Sequence, residues 1–285
     1  MLDDNLATDE SKLEYIAQIP RGQDLLINLA QKAHEVTVSK VSKRFGVKEM
    51  LTDNSKDNAF LISFLYYFGV LTLAGETPQG DIRLKVPNLV IQSLYVERVQ
   101  RMLLPEPGDR DDGEFAAKQV YQKGNIKPLC DFVENRYFTV FKNRDYRWAN
   151  ELTLKTAFLT LLYNDILYVM DSEPEIDRTY ADLTMMIRPD KRHFKIFDVL
   201  IEFKFVTLKD AHTTGEQAKA LSEDDLYAMP GIKTALEEGR QHAARYGQKL
   251  EDRHGNLRLK KFVVVALGFE RVCFEKISAR NYGEL

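Results

Sequence analysis

The sequence predicts a mainly helical domain of winged-helix type followed by an α/β domain. Three observations lead to this expectation: a β-hairpin pattern among helical patterns before residue 104, a stretch rich in Pro, Gly and acids at 105–114, and alternating helix and strand patterns after it. We therefore expect a first domain at residues 1–104, an exposed linker at 105–114 and a second domain at 115–285.

The composition is that of a folded globular protein. Hydrophobic residues make up 44% and charged residues 29% of the 285 residues, which excludes collagenous and largely disordered classes. The net charge of −3 does not by itself indicate nucleic-acid binding, so such binding would require a local basic patch. Cys130 and Cys273 are far apart in the sequence and outside any zinc-binding spacing, which favours a reducing cytoplasm.

No membrane association is expected. The first ten residues, MLDDNLATDE, are acidic, whereas a targeting peptide would be basic. The longest nearly apolar run, residues 59–75, is shorter than the roughly 20 residues of a spanning helix and contains several polar side chains. We expect a cytoplasmic protein.

In the first domain, helical spacing of apolar residues predicts helices over 25–44 and 58–68. The short run 71–73 and the alternating run 82–86 flank a turn-rich segment, and therefore predict a β-hairpin. A further helix is expected at about 89–103. Helices around a single hairpin are typical of a winged-helix arrangement.

The second domain begins with helical patterns at 116–141 and 150–170. Residues 179–187 and 195–206 follow, rich in β-branched and aromatic residues and separated by the turn sequence RPDKR. These two segments predict an antiparallel β-hairpin.

The rest of the second domain consists of a predicted polar loop at about 209–230, a helix at 234–250 and the apolar run KFVVVALGF at 261–269. Such an apolar run is typical of a strand buried inside a sheet that helices cover on both faces, with a helix crossing over from the preceding strand. The predicted order is helix, strand, strand, helix, strand.

Charged side chains interrupt the second strand of this hairpin. Glu202 and Lys204 occupy alternate positions in the apolar run VLIEFKFV and so point to the same face of the strand. Burying such charges costs several kcal/mol per ion unless a partner or a metal compensates. A simple ion pair on an exposed sheet face is the alternative explanation.

Asp182 interrupts the first strand in the same way, and a turn near 190–192 would place it opposite Glu202. Two converging carboxylates form a hard-oxygen site suited to Mg²⁺ or Mn²⁺. The neighbouring Lys204 could then orient or deprotonate a metal-bound water or neutralise charge on a phosphate. Taken alone, Asp182 would be a strand-end cap or a surface acid.

These residues resemble the PD-(D/E)XK nuclease superfamily. Asp182 matches its aspartate, Glu202-Phe203-Lys204 its (D/E)XK motif, and Glu151 the acid often carried by the first core helix. Ala181 stands where the superfamily has its nominal proline, which is not a ligand.

Three further features extend the resemblance. Gln241 is similar to the first residue of the QxxxY helix of RecB-type members, with one residue too many before the tyrosine. The segments FLYYFGVLTL at 64–73 and VPN at 86–88 resemble the part that precedes the nuclease in bacterial and archaeal fusions of an AAA-ATPase-like domain to such a nuclease. No GxxxxGK[ST] phosphate loop occurs, so ATP hydrolysis by that route is not expected.

The resemblance implies a restriction-endonuclease-like core, with a central mixed sheet flanked by helices, and a metal-dependent nuclease with DNA as the expected substrate. It implies Mg²⁺ or Mn²⁺ held by Asp182, Glu202, the backbone carbonyl of Phe203 and Glu151. Lys204 would assist the attacking water, and Gln241 would orient the substrate or the lysine.

Several roles have open alternatives. Glu151 could simply favour its helix start through the helix dipole, and Glu173 or Glu175 could supply the extra acid instead. Gln241 could be no more than a polar helix position. The histidines show no catalytic grouping, with His242 the exception by position.

The candidates for nucleic-acid binding lie in two clusters. The first cluster is Arg240, Arg245 and Lys249 on the Gln241 helix, and the second is Arg144 and Arg147 ahead of Glu151, together with Tyr146 and Trp148. The alternative to nucleic-acid binding is a solvated helix face for the first cluster and a helix-entry segment for the second.

A competing hypothesis is a catalytically inactive nuclease-fold module that binds nucleic acid or docks a partner ATPase. Metal binding separates the two hypotheses, because only the nuclease requires it. A homo-oligomer is also compatible with the sequence.

Overall fold

The protein divides into two compact units, residues 1–102 and 103–285, each with its own main sheet. The computed structural model describes residues 35–41, 57–67, 69–87, 89–139, 151–171, 175–176, 179–180, 182–255 and 257–277, with single helical residues between 13 and 29.

The first unit contains an antiparallel sheet in the order β1-β3-β2. Strands β2 and β3 form the predicted hairpin, which is therefore confirmed, and the predicted third helix is confirmed as α2. The elements are β1 (Glu35–Val38), α1 (Asn58–Tyr67), β2 (Thr72–Glu76), β3 (Ile82–Lys85) and α2 (Leu89–Leu103).

Of the helix predicted over 25–44, Leu25, Leu26 and Leu29 are helical as predicted, whereas strand β1 corrects the part from Glu35 to Val38. Its sequence EVTV pairs with β3 in the register Val36↔Leu84 and Val38↔Ile82. Two β-branched residues at alternate positions favour a strand when a partner edge is present. The spacing of apolar residues in 25–44 carries no information about the edge of β3 with which this segment pairs.

The second unit contains a five-stranded mixed sheet in the order β10-β9-β8-β7-β4, flanked by helices. Strands β8 and β9 are parallel, and the other pairs are antiparallel. The α/β class predicted for this part is thus confirmed. The strands are β4 (Tyr168–Asp171), β7 (Leu183–Ile187), β8 (Asp198–Val206), β9 (Leu259–Leu267) and β10 (Arg271–Ile277), while β5 (Glu175–Ile176) and β6 (Thr179–Tyr180) form a separate short pair.

The buried strand is confirmed, and the predicted hairpin is confirmed with shorter strands. Strands β7 and β8 pair antiparallel around Leu183↔Ile201. The strand predicted over 179–187 is divided, because Thr179–Tyr180 pair with β5 instead and Asp182 lies just before β7. Strand β9 runs parallel to β8 along its full length, and helix α8 (Pro230–His254) makes the crossover between them. Gly239 of α8 lies so close to Val263 of β9 that a Cβ atom would clash with it, so this glycine permits tight packing of helix on sheet.

Part of the predicted linker is helical. Helix α3 (Pro107–Lys123) begins inside residues 105–114, with Pro107 in its first turn, where a proline is tolerated. Gly113 is buried against Leu161 and Phe132. The acidic composition of 105–114 gave no sign of this helix, whose buried residues are Gly113, Ala116, Ala117, Val120 and Tyr121.

Other helix and loop boundaries also differ from prediction. Gly124 has φ 64° and ends α3, so the helix predicted over 116–141 is interrupted before α4 (Lys127–Phe132) and a π-helical turn (Val133–Tyr137). The helix predicted over 150–170 is α5 (Glu151–Leu162) and then strand β4.

The loop predicted at 209–230 contains two short helices, α6 (Gly215–Ala220) and α7 (Glu223–Ala228). Thr214 and Ser222 cap their first turns through side-chain hydrogen bonds. The edge strands β4 and β10 were not predicted. None of the helices in the described part of the chain has the length and apolar character needed to cross a membrane.

Candidate functional site

The site begins where strand β7 ends its pairing with β8. The described residues show this pairing as far as Leu183 and Ile201. Asp182, just before β7, accepts a hydrogen bond from the backbone N–H of Phe203 through Oδ2 at 2.7 Å. The carboxylate thus takes the place of a strand partner and lies beside the next residues of β8.

Glu202 and Lys204 extend from β8 into one ion pair. The Lys204 ammonium lies 2.8 Å from Oε1 of Glu202 and 2.9 Å from the backbone oxygen of Phe203. Glu202 is buried, and Lys204 is half-buried. A carboxylate oxygen and a carbonyl oxygen therefore hold one cationic group between them.

His242 of α8 reaches the same carboxylate. Its Nδ1 lies 3.0 Å from Oε1 of Glu202, and its side chain is 48% exposed. Gln241, the residue expected here, instead donates to Oε1 of Glu237 at 3.0 Å on an exposed part of the helix. His242, and not Gln241, precedes Tyr246 by four residues, the spacing of the QxxxY motif that the sequence was expected to resemble.

Helix α5 contributes two charged side chains from its first turns. Glu151 is part-buried, and the charges of Lys204 and Glu202 act on its pKa in opposite directions. Lys155, one turn later, is buried with its ammonium 3.9 Å from Oδ1 of Asp182. Sequence reasoning missed Lys155, although its (i, i+4) spacing from Glu151 places both on one helix face.

Burial and mutual repulsion shape the ionisation of this cluster. Burial raises the pKa of Asp182 to about 6, and the Glu202 charge adds to this rise, despite the Phe203 hydrogen bond and Lys155. Burial also raises the pKa of Glu151. For Lys204, burial lowers the pKa, but the hydrogen bond and charge of Glu202 outweigh it, so the pKa is raised.

The oxygen donors at this point suit a hard divalent cation. Asp182, Glu202 and the Phe203 carbonyl are carboxylate and carbonyl ligands of the type that Mg²⁺ and Mn²⁺ prefer. The Lys204 ammonium already contacts two of these donors. It acts here as a stand-in cation, which shows that Glu202 and the Phe203 carbonyl can converge on one positive charge.

The donor set is small. Within the described ranges, no three His, Cys, Asp or Glu side chains converge closely enough to form a metal-binding group. Two carboxylates and a carbonyl would therefore leave about half of an octahedral coordination shell to water, and Mg²⁺ usually keeps several waters.

The side chains of helix α8 that were predicted to contact nucleic acid have different surroundings. Arg240 binds both carboxylate oxygens of Glu275 on β10, at 3.0 and 2.8 Å, and also pairs with Glu237. Arg245 and Lys249 follow His242 at i+3 and i+7, on one face of α8.

The remaining candidates give no side-chain geometry. Arg144, Arg147, Tyr146, Trp148 and Glu173 lie outside the described residues, and Glu175 is described only as part of β5.

No family model, no curated protein and no solved structure matches this chain.

Proposed function

We propose that the chain is a metal-dependent nuclease that hydrolyses phosphodiester bonds, with DNA as the expected substrate. The observation that carries this proposal is the convergence of the Lys204 ammonium, the Glu202 carboxylate and the Phe203 carbonyl beside Asp182. Carboxylates can hold a metal ion that activates a water, and a lysine beside them can assist that water or offset charge on the phosphate.

The finer fold assignments belong to the same proposal. The antiparallel β7/β8 hairpin, the α8 crossover and the parallel strand β9 support a restriction-endonuclease-like core. The β2/β3 hairpin with α1 and α2 supports a winged-helix-like first domain.

Each residue has a distinct role in this proposal. A bound Mg²⁺ or Mn²⁺ would lower the pKa of a coordinated water and offset negative charge on the phosphate. Asp182, Glu202 and the Phe203 carbonyl would hold the ion, and Glu151 would complete the acidic cluster.

Lys204 and His242 would act on the substrate side. The Lys204 ammonium would leave the Phe203 oxygen to orient the attacking water or to contact the phosphate. The half-exposed His242, with Nδ1 directed at Glu202, would present the other edge of its ring to the substrate. Gln241 would remain outside the reacting group, in contact with Glu237.

A second candidate is a catalytically inactive module that binds nucleic acid or docks a partner ATPase. The lack of a three-side-chain metal-binding group among the described residues favours it. In that case the Glu202–Lys204 pair would be a structural ion pair.

Incubation of the purified chain with labelled single- and double-stranded DNA and RNA tests the proposal. We expect cleavage with Mn²⁺ or Mg²⁺ and none with EDTA. Binding without cleavage under every metal condition would favour the inactive module.

A further inference from the structure

Lys155 is an unusual residue for its position on helix α5. Its side chain is only 4% exposed, and its ammonium faces Oδ1 of Asp182 at 3.9 Å. An ammonium group taken out of water costs several kcal/mol unless an opposite charge and hydrogen bonds compensate. The carboxylate of Asp182 supplies such a charge.

Asp182 is engaged from two sides. Its Oδ2 accepts the Phe203 N–H at 2.7 Å, while its Oδ1 faces Lys155. One contact comes from strand β8 and the other from helix α5, so the carboxylate is oriented between the sheet and the helix. An ion bound through Oδ2 would leave the Lys155 ammonium in place, whereas a second ion at Oδ1 would lie against this buried positive charge.

The charges of the cluster also favour a single divalent ion over two. Among the described residues of this cluster, three carboxylates face two ammonium groups, so with all five ionised and His242 neutral they carry a net charge of −1. One divalent cation converts this into one positive charge, which the single negative charge of a phosphodiester offsets. A second divalent cation would leave two further positive charges among buried groups, at a large desolvation cost. The groups counted are Glu151, Asp182, Glu202, Lys155 and Lys204.

We propose that Lys155 is a positioning residue whose ammonium stands beside Asp182 in place of a second metal ion, so that the site binds one divalent ion and not two. The inference rests on the proposed nuclease function. Two-metal sites hold their ions about 3.5–4 Å apart on shared carboxylates. Here the ammonium of Lys155 occupies the surroundings of Asp182 that a second ion would need.

The test counts Mn²⁺ ions bound to the full chain, from the loss of the free-ion electron paramagnetic resonance signal. We expect one ion per wild-type chain. Lys155→Met removes the charge at similar side-chain length, and should raise the number towards two while cleavage falls by about 10- to 100-fold, as for other residues that orient metal ligands.

Lys261→Met is the matched control. Lys261 is another largely buried lysine, on strand β9, and its ammonium lies 3.5 Å from a carboxylate oxygen of Glu251 on helix α8. Its replacement should lower stability without changing ion number or cleavage. A merely structural Lys155 would behave like Lys261.

The outcomes separate the two proposals. Two ions in the wild type, or one ion in Lys155→Met whatever its activity, would overturn the inference and leave the nuclease standing. If Lys155→Met does not fold, the wild-type count and Lys155→Gln decide in the same way. A wild-type chain that binds no Mn²⁺ and cleaves nothing would overturn the proposed function, and the inference with it.

Discussion

The imidazole Nδ1 of His242 lies 3.0 Å from Oε1 of Glu202, although the two residues are 40 positions apart in the sequence. Lys204 contacts the same oxygen at 2.8 Å. One carboxylate oxygen therefore links helix α8 to the ion pair of strand β8, and any role of Glu202 depends on both neighbours.

His242 should matter for cleavage more than for folding. His242→Ala removes a contact to Glu202 from a half-exposed position, so we expect about 10- to 100-fold slower cleavage with little change in unfolding temperature. Gln241→Ala is the control and should cleave like the wild type, because Gln241 contacts Glu237 instead. Single-turnover rates and thermal melts compare them, and a larger defect in Gln241→Ala would reverse the assignment.

Asp182 should make metal-free stability depend on pH. Because its folded pKa is raised from 3.8 to about 6, the protonated form stabilises the fold at low pH, and this contribution is lost as pH rises from about 4 to about 6. Asp182→Asn mimics the protonated form. In EDTA it should exceed wild-type stability by about 2 to 3 kcal/mol at pH 7.5, and by nearly nothing at pH 4.

Urea unfolding of both proteins at the two pH values measures this difference. The predicted gain already includes the attraction between Asp182 and Lys155, since that attraction lowers the same pKa. A variant less stable than the wild type at pH 7.5 would show that the ionised carboxylate stabilises the fold.

Arg245 and Arg240 should differ in nucleic-acid binding. Arg245 shares the His242 face of α8, so Arg245→Ala should reduce the dependence of log K on log salt by about 0.9 for a duplex or about 0.7 for a single strand. Arg240 is bound to Glu275 and Glu237, so Arg240→Ala should leave that slope unchanged.

Fluorescence anisotropy over a range of salt concentrations gives both slopes. Equal slopes for Arg245→Ala and the wild type would place the substrate path away from this face. A reduced slope for Arg240→Ala alone would show that its ion pairs open for phosphate.

The central hairpin was predictable because its signals are local. Apolar runs rich in β-branched and aromatic residues define both strands, and the polar interruptions at Asp182 and Glu202 indicate which residues lie together. The RPDKR turn sets the register within a few residues. The pairing Leu183↔Ile201 then brings Asp182 next to Glu202.

Features that depend on distant partners were not predictable in this way. Strand β1 requires the edge of β3, and α3 packs its buried residues, Gly113 among them, against residues distant in the sequence such as Leu161. Lys155 sits in an apolar helix, where its burial follows only from the packing of α5 beside the Asp182 carboxylate. Its spacing from Glu151 was informative, but a helix face alone does not identify an opposite charge.

The most direct test of the proposed nuclease compares Glu202→Gln with the wild type for Mn²⁺-dependent DNA cleavage. Glu275→Gln is the matched control, since Glu275 is an ion-paired glutamate on strand β10. The proposed function predicts that Glu202→Gln stays folded and loses cleavage, while Glu275→Gln cleaves normally and EDTA stops every active protein. Full cleavage by Glu202→Gln, or cleavage that persists in EDTA, would contradict it.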